Sequence, residues 1–302
     1  MKPHVSIVIV TWNGKRQTLQ CLTSLEKVRH NSLKLDIVVV DNGSTDGTRE
    51  ALAKDFPSIL VISLPTNRGF TGGSNVGISQ ALRDGSDYVW LLNNDTYIAK
   101  NALSLVGVFD DPLVGIAGSK IYFAPHHEYH KSRYAKDEQG KVLWYGGGYI
   151  DWDNMYASHR GVDEVDHGQY NQTEETAFVT GCSMMIARTV FDRIGLFDEA
   201  YYLYLEDVDF CLRAKRAGFT IVYVPSSVVW HSNAQSSGGA GSQLHQYYLT
   251  RNRYLIGLRY APLRTKIALA REGTKFLIAG SPLQKRAVLD AIIGRFGMQY
   301  ES

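Results

Sequence analysis

Four short apolar runs alternate with helix-like segments over the first 100 residues, and this alternation constrains the fold more than any other feature. The runs cover 5–10, 36–40, 59–64 and 88–92, and they are rich in Val, Ile and Leu. Helical periodicity fills about 15–28, 47–55 and 73–84. Strands of continuous apolar character between helices are typical of a parallel sheet covered on both faces, with right-handed crossovers. We therefore predict an α/β fold with a Rossmann-like, mostly parallel central sheet flanked by helices.

The regular alternation of apolar runs and helical segments changes after about residue 115. The sequence predicts strands at about 114–123, 177–187 and 220–225, and helices over 188–194 and 206–217. Segment 124–176 is polar, rich in His, Tyr, Trp and Gly, and has little periodicity, so we expect functional loops and short strands there. From residue 246 onward the pattern is helical and predicts a C-terminal helical extension.

Charge and cysteine content indicate which partners and which cell compartment to expect. The 302 residues hold 32 Lys and Arg against 30 Asp and Glu, so we expect no nucleic-acid partner. Cys21, Cys182 and Cys211 lack the spacing of a zinc site or a disulfide framework, which favours free thiols in the cytoplasm. No export signal and no apolar run of about 18 residues is present, so we expect neither secretion nor a membrane span.

The C-terminal segment is basic. Residues 247–302 carry ten Lys and Arg against Glu272, Asp290 and Glu301, and Tyr, Leu, Ile and Phe lie between the cations. Helices of this composition suit an anionic membrane surface. A solvated basic face on packing helices, or a homodimer contact, explains the pattern equally well.

Polar residues close each of the first four predicted strands. Ligands of open parallel sheets bind beyond the carboxyl ends of the strands, where these residues meet. Loop capping would explain any single group, but four groups together indicate a ligand site. The residues are Thr11 and Asn13, then Asp41, Asn42 and Ser44, then Asn67 and Arg68, then Asn93, Asn94 and Asp95.

A glycine-rich segment follows the third strand. Gly69, Gly72, Gly73 and Gly77 lie in "NRGFTGGSNVG" beside Arg68, and such loops bind phosphate through backbone N–H groups. The segment matches neither the P-loop pattern nor the dinucleotide fingerprint, so its own signal is weak.

Two residues are candidate metal ligands. Asp95 follows a buried strand in "LLNNDT", and His231 follows the last predicted strand in "SVVWHSN". A carboxylate beside an imidazole suits Mg²⁺ or Mn²⁺, with most remaining ligands supplied by substrate phosphate and water. A helix-capping role for Asp95 and a structural role for His231 are the alternatives.

Seven motifs in order carry a family resemblance over about residues 4–255. The chain resembles glycosyltransferase family 2, which comprises inverting, nucleotide-sugar-dependent enzymes of the GT-A fold. "TWN", "NND", "WH" and "YYLTRNR" look most like its bacterial rhamnosyltransferase branch. The motifs are VSIVIVTWN, VVVDNGSTDGT, NRGFTGGSNVGI, WLLNNDT, VTGCSMMIAR, GLFDEAYYLYLEDVDFCLRAKRAGF and VVWHS.

The resemblance implies an organisation into two parts. Residues 1–245 would form the transferase domain, with a nucleotide-binding half over 1–100 and an acceptor-binding half over 101–245. Residues 246–302 would form the basic helical extension.

The resemblance also implies residue roles. Asp207 would be the catalytic base, Glu206 and Trp230 would contact acceptor or sugar, and Asp95 and His231 would bind Mg²⁺ or Mn²⁺. Asn93 departs from the family's usual Asp, which lowers the negative charge at the metal. The expected nucleotide-sugar ligands are Thr11, Asn13, Asp41, Asn67, Arg68, Gly73, Asn75 and Asn94.

The third acid of "EDVD" is expected to differ from its neighbours. Asp209 lies two positions after Asp207, about 200° round the helix, and is predicted to cap the helix or pair with Arg213.

The implied function is transfer of a sugar, with L-rhamnose from dTDP-rhamnose as first expectation, to a glycan or lipid-linked acceptor. Such a step would build a cell-surface polysaccharide at the inner face of the cell membrane. A UDP-hexose donor, and a non-catalytic glycan-binding scaffold of the same fold, are the alternatives. A sugar-phosphate nucleotidyltransferase would need a basic glycine-rich loop after the first strand, and "TWNGKRQTL" matches that poorly.

Overall fold

A computed structural model of the protein describes residues 2–28, 32–130, 132–232 and 241–300. Its described part contains twelve strands and eight α-helices, with a 3₁₀ helix at Ala102–Asp110. The strands are β1 (His4–Thr11), β2 (Lys34–Asp41), β3 (Leu60–Ser63), β4 (Tyr88–Asn93), β5 (Thr96–Ile98), β6 (Val114–Phe123), β7 (Leu143–Tyr145), β8 (Gly148–Asp151), β9 (Tyr156–His159), β10 (Glu174–Glu175), β11 (Ser183–Ala187) and β12 (Thr220–His231). The helices are α1 (Lys15–Leu25), α2 (Thr48–Asp55), α3 (Gly69–Arg83), α4 (Arg188–Ile194), α5 (Glu206–Arg216), α6 (Gln243–Tyr260), α7 (Leu263–Ala279) and α8 (Pro282–Ile292).

One large sheet organises the molecule, in the order β10-β12-β6-β11-β4-β1-β2-β3. The first four strands pair in parallel around β1, and β6 pairs in parallel with β12. Strand β11 lies antiparallel between β4 and β6 and joins the two halves. The predicted α/β fold with a mostly parallel central sheet is therefore confirmed.

Helix α3 packs closely on the sheet, against strand β1. A Cβ at Gly77 would lie 2.3 Å from Val8 Cγ1, and a Cβ at Gly73 would lie 2.7 Å from Val10 Cγ1. Only glycine permits this approach, because real Cβ contacts are longer. Two of the glycines in the glycine-rich segment thus hold the helix against β1.

Several predicted bounds differ from the structure. Strand β12 runs on to His231, because a register shift between Val224 and Val228 accommodates Pro225 within the strand. Only Ser183–Ala187 of the predicted strand 177–187 is extended, and helix α3 begins at Gly69 instead of 73. Segment 124–176 contains short strands, as predicted.

The C-terminal segment divides into a buried helix and two exposed ones. Helix α6 packs into the core, where Arg251 and Asn252 are both fully buried, whereas α7 and α8 expose much of their surface. The predicted domain boundary at 245 falls inside α6, and residues 233–240 and Glu301 lie outside the described residues.

Within the described residues, no helix combines the length and apolar character that a bilayer span requires. The three cysteines are buried free thiols, as predicted.

Candidate active site

A cavity of about 420 Å³ lies at the carboxyl ends of the parallel strands. Its wall combines strand ends, the start of α5, loop 180–182, segment 202–205 and the start of α6. Six of the residues to which the resemblance gives a role line it, namely Asn67, Asn94, Asp95, Glu206, Asp207 and His231, and so do Asn42 and Asn93 of the predicted ligand site.

The carboxylate of Asp207 is fixed by two backbone donors at the start of α5. Gly181 N–H donates to Oδ2 at 3.0 Å and Val208 N–H donates to Oδ1 at 2.8 Å. Burial raises the pKa of Asp207 above its ordinary value, while these N–H groups act in the opposite direction. A fixed carboxylate with a raised pKa is a stronger proton acceptor than a solvated one.

Glu206 is the more strongly perturbed member of the acidic pair. Its side chain is buried, and Oε2 has no hydrogen-bond partner within the described part of the chain. Burial first, and then the charge of Asp207, raises the pKa of Glu206 well above its ordinary value. Both carboxyls of the pair therefore have raised pKa values, and two interacting groups of this kind titrate as a pair.

The backbone before α5 is strained. Tyr202, Tyr204 and Leu205 have φ angles of 62°, 70° and 67°, a left-handed conformation that costs side-chain-bearing residues about 1–2 kcal/mol each. Helix α6 holds this segment, because Asn252 donates to the carbonyl oxygens of Leu203 at 2.8 Å and Tyr204 at 2.7 Å. Segment 202–205 in turn sets the direction in which Glu206 and Asp207 leave the backbone.

Arg251 adds a second set of donors, to the two residues that directly precede segment 202–205. Its guanidinium donates to the carbonyl oxygens of Ala200 at 2.9 Å and Tyr201 at 2.8 Å. The side chain lies 4.8 Å from the Tyr248 ring centroid and is shielded from solvent.

Asp209 has a structural environment, unlike its two neighbours. It accepts a 2.9 Å hydrogen bond from Arg213 Nε and a 2.8 Å hydrogen bond from the Tyr260 hydroxyl, and it is fully buried. The predicted pairing with Arg213 at i+4 is confirmed.

Asp95 and His231 lie side by side because β5 pairs with the end of β12. Asp95 Oδ1 is 3.0 Å from His231 Nε2, and both side chains are buried. Adjacent ligands of an octahedral Mg²⁺ lie about 2.9 Å apart, so the two atoms have the separation that one small cation requires. His231 Nδ1 is buried without a hydrogen-bond partner among the described residues.

The donor set is small. No group of three or more His, Cys, Asp or Glu side chains that could hold a metal occurs in the described ranges. Asp95 and His231 fit a cation that takes its remaining ligands from a diphosphate and water, as Mg²⁺ commonly does.

Asn94 and Thr11 hold two strand ends together. Asn94 Nδ2 lies 3.2 Å from Thr11 Oγ1 and 3.1 Å from Thr18 Oγ1, and all three side chains are buried. Asn94 lines the cavity and Thr11 lies behind it.

Asn13 and Asp41 organise the loops after β1 and β2. Asn13 Oδ1 accepts a 2.8 Å hydrogen bond from Thr45 N–H, and Asp41 Oδ1 accepts a 3.0 Å hydrogen bond from Ser44 N–H. Neither lines the cavity.

Residues at the start of α3 contact the 197–199 segment. Arg68 pairs with Glu199 at 2.9 Å on the surface, and Asn75 donates to the carbonyl oxygen of Phe197 at 3.0 Å. Like Gly73, they lie outside the cavity wall, whereas Asn67 lines it. Nucleotide binding by these residues stays a prediction.

Trp230 also lies away from the cavity. Its indole Nε1 donates to the carbonyl oxygen of Gly140 at 2.8 Å, and side chains of consecutive strand residues point to opposite faces. His231 therefore reaches the cavity and Trp230 does not, so a sugar contact by Trp230 has no support in this geometry.

An aromatic wall was missed by the residue-level predictions. Trp144, His159 and Phe178 line the cavity, and the Trp144 ring lies 4.3 Å from the His159 ring and 4.6 Å from the His231 ring. His159 Nδ1 donates to the carbonyl oxygen of Trp144 at 3.0 Å, and burial lowers the pKa of His159 to about 4. The His, Tyr and Trp content of 124–176 was the available signal, but no periodicity identified individual positions.

Comparison with solved structures supports the GT-A architecture. The mannosyltransferase PcManGT from Pyrobaculum calidifontis, solved with GDP-Man and Mn²⁺, matches with a TM-score of 0.55 at 17% identity, over 99% of this chain and 77% of that one. GalNAc-T7, solved with UDP, GalNAc and Mn²⁺, matches with a TM-score of 0.63 at 17% identity, over 92% of this chain and 56% of that one. At such identities the likeness concerns the fold alone.

Sequence comparison identifies closer relatives. The chain is 26% identical over 249 residues to the N-acetylglucosaminyl-diphospho-decaprenol L-rhamnosyltransferase of Mycobacterium tuberculosis, which covers 79% of each chain. It is 24% identical over 270 residues to the dTDP-rhamnosyl transferase RfbF of Shigella flexneri, over 85% of this chain and 80% of the relative. The profile of "Glycosyltransferase like family 2" matches residues 3–250, which include the whole cavity wall. The chain therefore belongs to glycosyltransferase family 2.

Proposed function

We propose that the protein is an inverting glycosyltransferase with Asp207 as its catalytic base. The observation that carries the proposal is the pair of backbone hydrogen bonds, from Gly181 and Val208, that fix the Asp207 carboxylate in the wall of the cavity shared with Asp95 and His231. A glycan-binding scaffold would need neither a fixed base nor a cation site in one cavity.

The proposed reaction is a displacement at the anomeric carbon of the donor sugar, in which Asp207 is the proton acceptor. An acceptor hydroxyl transfers its proton to Asp207 as its oxygen bonds to the anomeric carbon from the face opposite the leaving group. The bond between the anomeric carbon and the diphosphate oxygen breaks, and its electron pair leaves with the nucleoside diphosphate. The configuration at the anomeric carbon is inverted.

We propose that two groups stabilise the negative charge of the departing diphosphate, namely a bound cation and Arg68. Asp95 and His231 would hold Mg²⁺ or Mn²⁺, which when bound supplies electrostatic stabilisation of the departing diphosphate. The exposed ion pair of Arg68 with Glu199 contributes at most about 1 kcal/mol, so Arg68 can exchange that partner for a phosphate at little cost.

We propose L-rhamnose from dTDP-rhamnose as the donor sugar and a glycan or lipid-linked molecule as the acceptor. The names of the Mycobacterium and Shigella relatives support this choice. A lipid-linked acceptor would place the reaction at the inner face of the cell membrane, in cell-surface polysaccharide synthesis. A UDP-hexose is the second candidate donor.

A donor panel tests the proposal. Purified protein with Mn²⁺ or Mg²⁺ is incubated with dTDP-rhamnose, UDP-glucose, UDP-galactose and GDP-mannose, and released nucleoside diphosphate is measured with Asp207→Asn as the blank. Preferential turnover of dTDP-rhamnose supports the donor assignment, and equal turnover removes it. Donor binding without turnover in any reaction, with or without acceptor lipids, would favour the scaffold.

A further inference from the structure

Helix α7 presents aliphatic and cationic side chains together on its exposed side. Leu263, Ile267 and Ile278 form an aliphatic stripe, and Arg264, Arg271 and Lys275 form a cationic stripe beside it, about 70° away round the helix. We call these six residues the basic–apolar face. Leu263 and Ile278 are 75% and 74% exposed, and because they share one side of the helix with Ile267 they form a patch and are not scattered surface aliphatics.

Helix α8 extends the same character next to α7. Leu289 and Ile292 of α8, and Ile293 directly after it, are about half exposed or more, and Lys285 of α8 is exposed too. The two helices pack on each other, since a Cβ added at Gly273 of α7 would lie 3.4 Å from Val288 Cγ1 of α8.

The positive charge of the basic–apolar face is not neutralised by the acids of the C-terminal helices. Residues 247–300 contain only two carboxylates, and both are engaged elsewhere. Glu272 pairs with Arg253 at 2.6 Å, and Asp290 accepts a 2.6 Å hydrogen bond from Tyr247 and lies 3.8 Å from Arg286 of its own helix. None of the three cations of the basic–apolar face lies in an ion pair within the described ranges. The face therefore complements an anionic partner.

We propose that the basic–apolar face docks on an anionic lipid bilayer, with its aliphatic stripe at the boundary between headgroups and acyl chains. Aliphatic side chains beside Lys and Arg suit this interface, where apolar burial and attraction to anionic lipid add. A second copy is a poorer occupant, because a two-fold contact brings the same cations against each other. The purpose of docking, access to a lipid-linked acceptor, rests on the proposed function, whereas the contact itself does not.

Vesicle sedimentation tests the proposal with the full chain. The vesicles are phosphatidylcholine alone, or phosphatidylcholine with phosphatidylglycerol. One variant reverses the cations (Arg264→Glu, Arg271→Glu, Lys275→Glu) and another breaks the aliphatic stripe (Leu263→Glu, Ile278→Glu). The matched controls are Lys27→Glu with Lys54→Glu and Lys100→Glu, and Leu113→Glu, which change exposed residues elsewhere.

Wild-type protein and both controls are expected to partition onto the anionic vesicles at least tenfold more strongly than onto neutral ones, and less at high salt. Both face variants are expected to lose at least tenfold of that partitioning. Equal partitioning of face variants and controls overturns the proposal. A dimer in lipid-free sedimentation velocity that dissociates in the face variants also overturns it, in favour of a second copy.

Hydrolysis of a soluble donor is measured in parallel. It is expected to be the same in wild type, face variants and controls, since α7 lies outside the cavity wall. If neither hydrolysis nor transfer to acceptor lipids occurs in any of them while lipid partitioning behaves as expected, the proposed function fails and the docking proposal stands.

Discussion

Asn252 donates a 2.7 Å hydrogen bond to the carbonyl oxygen of Tyr204, which lies three residues before Asp207. The same amide also donates to the carbonyl oxygens of Tyr201 and Leu203. A segment with left-handed side-chain-bearing residues persists only when its surroundings over-determine it. The direction of the Asp207 side chain thus depends on a helix that the sequence pattern assigned to a C-terminal extension.

Removal of this amide is expected to slow turnover. Asn252→Ala should lower kcat by about ten- to a hundredfold, because a small misplacement of a reacting group is costly. The affinity for nucleoside diphosphate should stay within about twofold, since Asn252 lies outside the cavity wall. Steady-state kinetics and calorimetry on the same preparation separate the two effects.

The matched control is Arg253→Gln on the same helix. Arg253 donates to the carbonyl oxygen of Asn154 and pairs with Glu272, so it is bonded as heavily but away from segment 202–205. The control should keep wild-type kcat. An equal fall in kcat in both variants would show that general loosening of α6, and not the position of Asp207, is responsible.

If Asp95 and His231 hold a cation, nucleotide binding that depends on the metal should require both side chains. Asp95→Ala and His231→Ala should each weaken Mn²⁺-dependent binding of nucleoside diphosphate by about ten- to a hundredfold, because each removes one of two protein ligands. Binding measured in EDTA should change little. The control His130→Ala removes a surface histidine 3.9 Å from Asp163 and should leave the titration as in wild type. Titrations with Mn²⁺ that neither site variant alters would argue against a cation there.

The raised pKa of Glu206 implies that the stability of the folded protein depends on pH. Its folded-state pKa is raised by burial, so the folded state binds more protons than the unfolded state above the ordinary pKa near 4.3. Its contribution to stability is full below that pH and is lost as pH rises toward the folded-state value, by about 1.4 kcal/mol per pH unit.

The substitution Glu206→Gln removes the titrating group and should abolish its contribution to the pH dependence of stability. Relative to wild type, its unfolding temperature should match near pH 4 and be several degrees higher at pH 7 to 8, as calorimetry at a series of pH values would record. Glu26→Gln, at an exposed residue of the same type, should give no such divergence. A difference between Glu206→Gln and wild type that is constant across pH would contradict the raised pKa.

The sheet was predictable because each of its first four strands has a recognisable local sequence pattern. Continuous Val and Ile runs ended by polar turns place β1 to β4 almost to the residue, and parallel pairing brings the residues after them to one edge. Asp95, Asp207 and His231 were predicted as site residues, and all three line the cavity.

The rest depends on contacts that have no local signature. The bonds from Asn252 to segment 202–205 join residues about fifty positions apart, and left-handed Tyr and Leu residues contradict local propensity. His159 reaches the cavity through a short antiparallel pair, β8 with β9, inside the segment with little periodicity. The resemblance implied a sugar or acceptor contact for Trp230, yet Trp230 lies outside the cavity wall, because strand alternation turns it to the face opposite His231.

The most direct test of the account compares transfer and binding in Asp207→Asn and Asp209→Asn. Asn keeps the shape of Asp207 but accepts no proton, so Asp207→Asn should lower transfer from dTDP-rhamnose by at least about a thousandfold while nucleotide affinity stays within about threefold. Asp209→Asn, which alters the buried acid that pairs with Arg213 and Tyr260, should unfold at a lower temperature but retain transfer per folded molecule. Transfer by Asp207→Asn at the wild-type rate would contradict the assignment of the base.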